Sequence, residues 1–224
     1  MAGSLFRRAY GAVRAGLKPV AAMCLLAGPA AAEVTVAALG DSLTQGYGLP
    51  QEDGFVPQLQ AWLDARGAEA TVVNAGVSGD TTAGGLSRVD WTLTPDVDAM
   101  IVALGGNDLL RGIDPANSRA NLDGILSAAD ARGVAVLLVG MEAPGNYGAD
   151  YKAAFDGMYG DLGRKWDVPV AGSFLGALAG IADRQGAMRD YMQQDGIHPN
   201  ADGVALIVEA LGPAVLDLVE RAGG

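Results

Sequence analysis

Beyond Glu33 the chain alternates short, nearly continuous apolar runs with longer segments of helical period, and that alternation leaves few folds open. Strands are expected near Val34 to Leu39, Ala70 to Asn74, Ala99 to Leu104, Val134 to Val139 and Val168 to Ala171. They are rich in valine, as strands covered on both faces must be. Helices are expected near Phe55 to Arg66, Thr82 to Thr92, Asn117 to Arg132, Tyr151 to Trp166 and Pro199 to Arg221. Parallel strands need crossovers, and right-handed crossovers put helices on both faces of the sheet. The expectation is an α/β fold: a single-domain, three-layer α/β/α sandwich with a five-stranded parallel sheet, whose switch point would lie beside the first strand if the order is 2-1-3-4-5. In such sheets chemistry gathers at the carboxyl ends of the strands.

The first 32 residues read differently. Arg7, Arg8, Arg14 and Lys18 occur there with no acid, followed by the apolar stretch Pro19 to Gly28 and by Ala30-Ala31-Ala32 before Glu33. A basic start, a short apolar run and small residues at a cleavage site describe a secretory signal peptide over 1–32, with one domain over 33–224 and a periplasmic destination. Cys24 follows Met23, where a lipoprotein signal takes a small residue, so no stable membrane anchor is expected. It is also the only cysteine, so the exported chain is held by its core rather than by disulfides. The formal charge is −11, and losing four cations makes the remainder more acidic still. Such a surface repels nucleic acid and anionic headgroups. A monomer acting on a small molecule is expected.

Polar clusters follow the first three strands. Gly40 to Gly48 reads GDSLTQGYG. Ser42 there stands at a strand-to-helix turn beside helix-start amides, or else serves as the helix N-cap. The glycine spacing is not that of a dinucleotide loop and no lysine follows as in a phosphate loop, which argues against nucleotide binding. In NAGVSGDTTAGGLSR, Asn74 to Arg88, Gly79 brings a bare backbone N–H near a ligand oxygen or simply makes a turn. In LGGNDLLRG, Leu104 to Gly112, Asn107 projects its amide into the crevice or forms an Asx turn with Asp108. Asp41 reads as shaping the turn around Ser42 through backbone hydrogen bonds. Trp62, Trp91 and Trp166 read as helix packing.

His198 is the single histidine, and so the one side chain with an unperturbed pKa suited to acid–base work near neutral pH. It follows Asp195 by three residues and precedes Pro199. It can turn Nδ1 to that carboxylate and leave Nε2 free, or cap the following helix with Pro199 in its first turn. With no cysteine in the exported chain and one histidine, a zinc site is not expected. Neither a metal nor a cofactor is called for.

Four blocks in this order resemble the GDSL, or SGNH, hydrolase family, whose name lists its serine, glycine, asparagine and histidine. The resemblance implies the SGNH hydrolase fold, flavodoxin-like with the strand order 2-1-3-4-5, and Ser42 as nucleophile, Gly79 and Asn107 as oxyanion donors, His198 as base and Asp195 orienting it. The start Glu33 to Ser42 and the stretch Ala143 to Val170 resemble, more narrowly, bacterial periplasmic acyl hydrolases of the thioesterase, protease and lysophospholipase type. That implies an exported serine esterase acting on acyl esters, thioesters or lysophospholipids. An O-acetylesterase acting on polysaccharide or peptidoglycan would use the same five residues. A periplasmic ligand-binding module that had lost its chemistry would be expected to lack one of them, and none is missing.

Overall fold

The computed structural model describes Met1 and residues 33–223, so the signal peptide expected over 1–32 lies, Met1 apart, outside the described residues. The elements run β1 (Val34–Gly40), α1 (Ser42–Gln45), α2 (Phe55–Asp64), β2 (Ala70–Gly76), α3 (Thr82–Thr92), β3 (Ala99–Ala103), α4 (Gly106–Leu110) and α5 (Pro115–Asp130). They continue with β4 (Ala135–Gly140), α6 (Ala149–Trp166), β5 (Val170–Ser173), α7 (Gly176–Ala179), α8 (Arg184–Tyr191) and α9 (Ala201–Gly223). The five strands form one parallel sheet in the order β2-β1-β3-β4-β5, as expected.

Strand side chains alternate between faces, so each central strand feeds two cores. Val36, Ala38, Ile101 and Leu137 pack with Phe55, Leu59 and Leu63 of α2 and with Ile207 and Leu211 of α9. Ala37, Leu39, Met100 and Val102 pack on the other face with Val89 of α3, Leu122 and Ile125 of α5, and Phe155 of α6. Helix α9 buries Val204, Ile207, Val208, Leu211, Val215 and Leu218, a spacing that keeps one stripe on the sheet. Pro213 lies on its solvent side, where water can satisfy the carbonyl that the missing N–H leaves free.

Three expectations need correction. Strand β5 begins two residues late, because Asp167 takes a left-handed conformation (φ 53°) and the Val168 N–H closes the end of α6 on Gly163 O at 3.0 Å. Trp91 does not pack: it is 86% exposed. Val89 faces the core, and two residues further on is about 200° round the helix. Trp62 is buried and Trp166 half-buried, its indole N–H donating to Asp123 at 2.7 Å. The short helices α4, α7 and α8 lie outside the expected elements, since a helix of one or two turns carries too little periodicity to read.

Candidate active site

Register places the site. Gly40, the last residue of β1, pairs with Gly76 of β2 and with Ala103 of β3. The segments leaving these three strands therefore start level, at one edge of the sheet. Ser42 leaves β1 as the first residue of α1. Its cap is Asp41, whose Oδ1 accepts the Leu43 N–H at 3.0 Å. Ser42 is thus relieved of capping. Its own N–H, at a helix start, has no intrahelical partner.

The histidine is likewise not a helix cap. Helix α9 begins at Ala201, and Asn200 caps it by accepting the Gly203 N–H at 2.9 Å. Pro199 sits outside the helix, in a bridge with Met192. Between them the chain folds tightly around one carboxylate: Asp195 Oδ1 accepts the N–H groups of Ile197 (2.9 Å) and His198 (3.0 Å). Its Oδ2 lies 2.6 Å from His198 Nδ1, and His198 Nε2 lies 2.9 Å from Ser42 Oγ. Facing a carboxylate, Nδ1 carries the proton, so Nε2 accepts from the serine hydroxyl. The hydrogen bond from the His198 ring, with the two backbone N–H groups, holds the Asp195 carboxyl down at about 2. It is therefore ionised throughout the neutral range.

Gly79 and Asn107 line the same cavity as Ser42 and His198. Gly79 adopts φ +85°, a left-handed conformation that strains any residue with a Cβ. Its carbonyl accepts from Arg111 Nη2 at 2.7 Å, which holds the residue on its C-terminal side. Asn107 is not in an Asx turn but inside α4, and its Nδ2 donates to Asp41 Oδ2 at 3.3 Å. Helix α4 is preceded by Gly105 at its N-cap, whose φ of +122° and position, 2.2 Å from Tyr159 Oη to an added Cβ, admit only glycine. Asp108, fully buried, accepts from Thr82 N (2.8 Å), Thr82 Oγ1 (2.5 Å) and Ser118 Oγ (2.8 Å), tying α4 to α3 and α5.

Several residues that shape this site escape a sequence reading. Gln193 donates to the carbonyls of Tyr47 (2.8 Å) and Pro199 (2.9 Å), clamping the histidine loop to the serine loop. Tyr47 lies against the imidazole with ring centroids 4.7 Å apart. Arg88 pairs with Asp80 (2.6 Å) and reaches Ala75 O (2.7 Å) and Gly40 O (2.9 Å), joining the ends of β2 and β1. The contacts of Gln193 with Tyr47 and of Arg88 with Gly40 carry no local signal, because they join segments 146 and 48 residues apart. The cavity extends from Ser42 as a volume of about 740 Å³ walled by Leu43, Met141, Leu175, Leu178, Ala187 and Met192. Four of those six come from α7, α8 and their flanks, the segments the sequence left unassigned.

Comparison with known proteins shows the family. Residues 38–206 match the GDSL-like lipase/acylhydrolase family model. The chain is 39% identical over 199 residues to esterase TesA of Pseudomonas aeruginosa, covering 88% of this chain and 95% of that protein. It is 34% identical over 204 residues to thioesterase 1/protease 1/lysophospholipase L1 of Escherichia coli, covering 91% and 93%. The crystal structure of AlinE4, an SGNH-hydrolase family esterase, superposes with a TM-score of 0.67 at 44% identity over 83% of this chain and 96% of its own. The chain belongs to the GDSL-like lipase/acylhydrolase family and is an SGNH carboxylic ester hydrolase.

Proposed function

We propose that the protein is an exported serine esterase that cleaves acyl esters, and thioesters or lysophospholipids among them, through an acyl-enzyme on Ser42. The observation that carries this reading is the unbroken chain of contacts from Ser42 Oγ to His198 Nε2 (2.9 Å) and from Nδ1 to Asp195 (2.6 Å). A serine hydroxyl is a weak nucleophile without a base in reach. His198 takes its proton as Oγ attacks the acyl carbonyl, then returns it to the leaving alcohol or thiol. Asp195 holds the tautomer and steadies the imidazolium. The N–H groups of Ser42 and Gly79 and the Asn107 amide receive the tetrahedral oxyanion. Water, activated by the same imidazole, then releases the acid.

The apolar cavity beside Ser42 favours an acyl chain of some length over acetyl. Burying one methylene is worth about 0.8 kcal/mol, or roughly fourfold in kcat/KM. The names of the relatives, esterase and thioesterase/lysophospholipase, accord with such substrates. Export rests on the composition of residues 1–32. The test is a graded series of p-nitrophenyl esters, acyl-CoAs and lysophosphatidylcholines on purified residues 33–224. Activity should rise with chain length and then level off, and Ala187→Phe should shorten the optimum. Strict preference for acetyl would favour the O-acetylesterase reading, and full activity in Ser42→Ala would overturn the mechanism.

A further inference from the structure

Asn107 does not reach the cavity unsupported. One N–H of its amide donates to Asp41 Oδ2 at 3.3 Å, while the other oxygen of the same carboxylate receives the Leu43 N–H at 3.0 Å. An amide nitrogen carries two hydrogens, so fixing one fixes the direction of the other. Asp41 is only 3% exposed, and Gly106 leaves it room, since a Cβ there would stand 3.1 Å from Asp41 Oδ2. Asp41 is therefore wedged between the serine-bearing turn and the asparagine-bearing helix, with an acceptor turned to each.

Resting on the esterase reading above, we infer that Asp41 is a positioning residue, whose carboxylate aims the Asn107 amide at the oxygen that becomes negative during acyl transfer. The role requires the charged form. A protonated Oδ2 would present a donor to the Asn107 donor, and the amide would lose its anchor. Burial pushes the Asp41 carboxyl up to about 6, against the lowering effect of the Leu43 N–H and the Asn107 amide. Two charged groups face it: His198, from the loop before α9, which favours the carboxylate when protonated, and Asp108 of α4, which opposes it. Two groups must then lose protons for full activity, the imidazole to act as base and Asp41 to hold the amide.

The experiment compares wild type, Asp41→Asn, Asn107→Ala and the double variant, all as residues 33–224, by steady-state kinetics from pH 4 to 8 with calorimetry to establish folding. Asparagine at 41 has one acceptor oxygen for two N–H donors. Asp41→Asn should lower kcat roughly 10- to 100-fold with KM little changed, the pattern of an interaction made in the transition state. In the Asn107→Ala background the same substitution should cost less than about twofold, because the amide it acts on is gone. The acid limb of log(kcat/KM) should approach a slope of about 2 in wild type and about 1 in Asp41→Asn. Losses that multiply in the double variant, or a slope of about 1 in both proteins, would overturn the role, as would wild-type kinetics in Asp41→Asn. Ser42→Ala separates the two readings: if it stays active the esterase mechanism itself falls, whereas an inactive Ser42→Ala beside a normal Asp41→Asn removes the positioning role alone.

Discussion

Asp41→Asn should make the protein more stable at neutral pH even as it makes it a poorer enzyme. The carboxyl is 3% exposed, and burial raises it from 3.8 to about 6. A carboxyl that titrates higher in the folded than in the unfolded chain binds its proton more tightly when folded. Folding stability from this group is therefore full below about pH 4, declines as pH rises towards 6, and is absent above. A shift of about two units at 1.36 kcal/mol per unit amounts to about 3 kcal/mol. Asparagine is close to the protonated carboxyl in shape and carries no charge, so it recovers up to that amount at pH 8 and almost nothing at pH 4. For a domain of this length each kcal/mol moves Tm by roughly 2–4 °C. Differential scanning calorimetry of residues 33–224 should then show Asp41→Asn melting about 6–12 °C above wild type at pH 8, with the gap closing as pH falls through 6 towards 4. A lower Tm at pH 8, or a gap that does not change with pH, would refute the argument that a buried charge is being maintained at a cost. If the gap is found, it places a small reservoir of instability at the point where the amide is aimed, in keeping with the trade between stability and activity at functional sites.

Asp108→Ala should be destabilising by about 3–5 kcal/mol, since it leaves the Thr82 N–H and the Thr82 and Ser118 hydroxyls buried without their acceptor; urea unfolding should show a lower midpoint with an unchanged slope. Asp195→Asn should reduce kcat by about 10⁴ without unfolding the chain. Because the Asp195 carboxyl is held at about 2, its contribution to stability is present above its ordinary value near 4 and lost as pH falls towards 2, so Asp195→Asn should flatten the acid melting curve in that window and nowhere else. Gly105→Ala should lower both stability and kcat, because its Cβ would meet Tyr159 Oη at 2.2 Å; Tyr159→Phe in the same chain should restore part of the loss by removing the obstructing oxygen, which activity and Tm together will report.

Much of this molecule is legible in its sequence for a specific reason. Strands covered on both faces must be apolar along their whole length, and crossover helices must be long enough to span the sheet, so the five strands, their parallel sense and the long helices α2, α3, α5, α6 and α9 all leave periodic marks. A parallel sheet then delivers the ends of its strands to one edge. That is why Ser42, Gly79 and Asn107 could be expected together before any coordinates, and why a lone Asp-x-x-His near the C-terminus could be joined to them. Local chemistry also settled one detail: Asp41 capping the turn at Ser42 is a contact two residues long.

The tertiary structure alone decided what depends on distance across the chain. That His198 is not the helix cap turned on Asn200 taking that place, and its ring meets the Ser42 hydroxyl at 2.9 Å across 156 residues. The cavity beside Ser42 needed α7, which at four residues is too short to show a period, and α8, which is short and largely polar. The clamps made by Gln193, Arg88 and Arg111 join segments that share no local pattern. Apolar periodicity is written along the chain because burial is a property of each element, and a sequence can therefore specify the sheet and the edge where its chemistry gathers. Hydrogen bonds between loops are properties of pairs, so the aim of the Asn107 amide, the charge kept on Asp41 and the shape of the cavity exist only once the chain has folded.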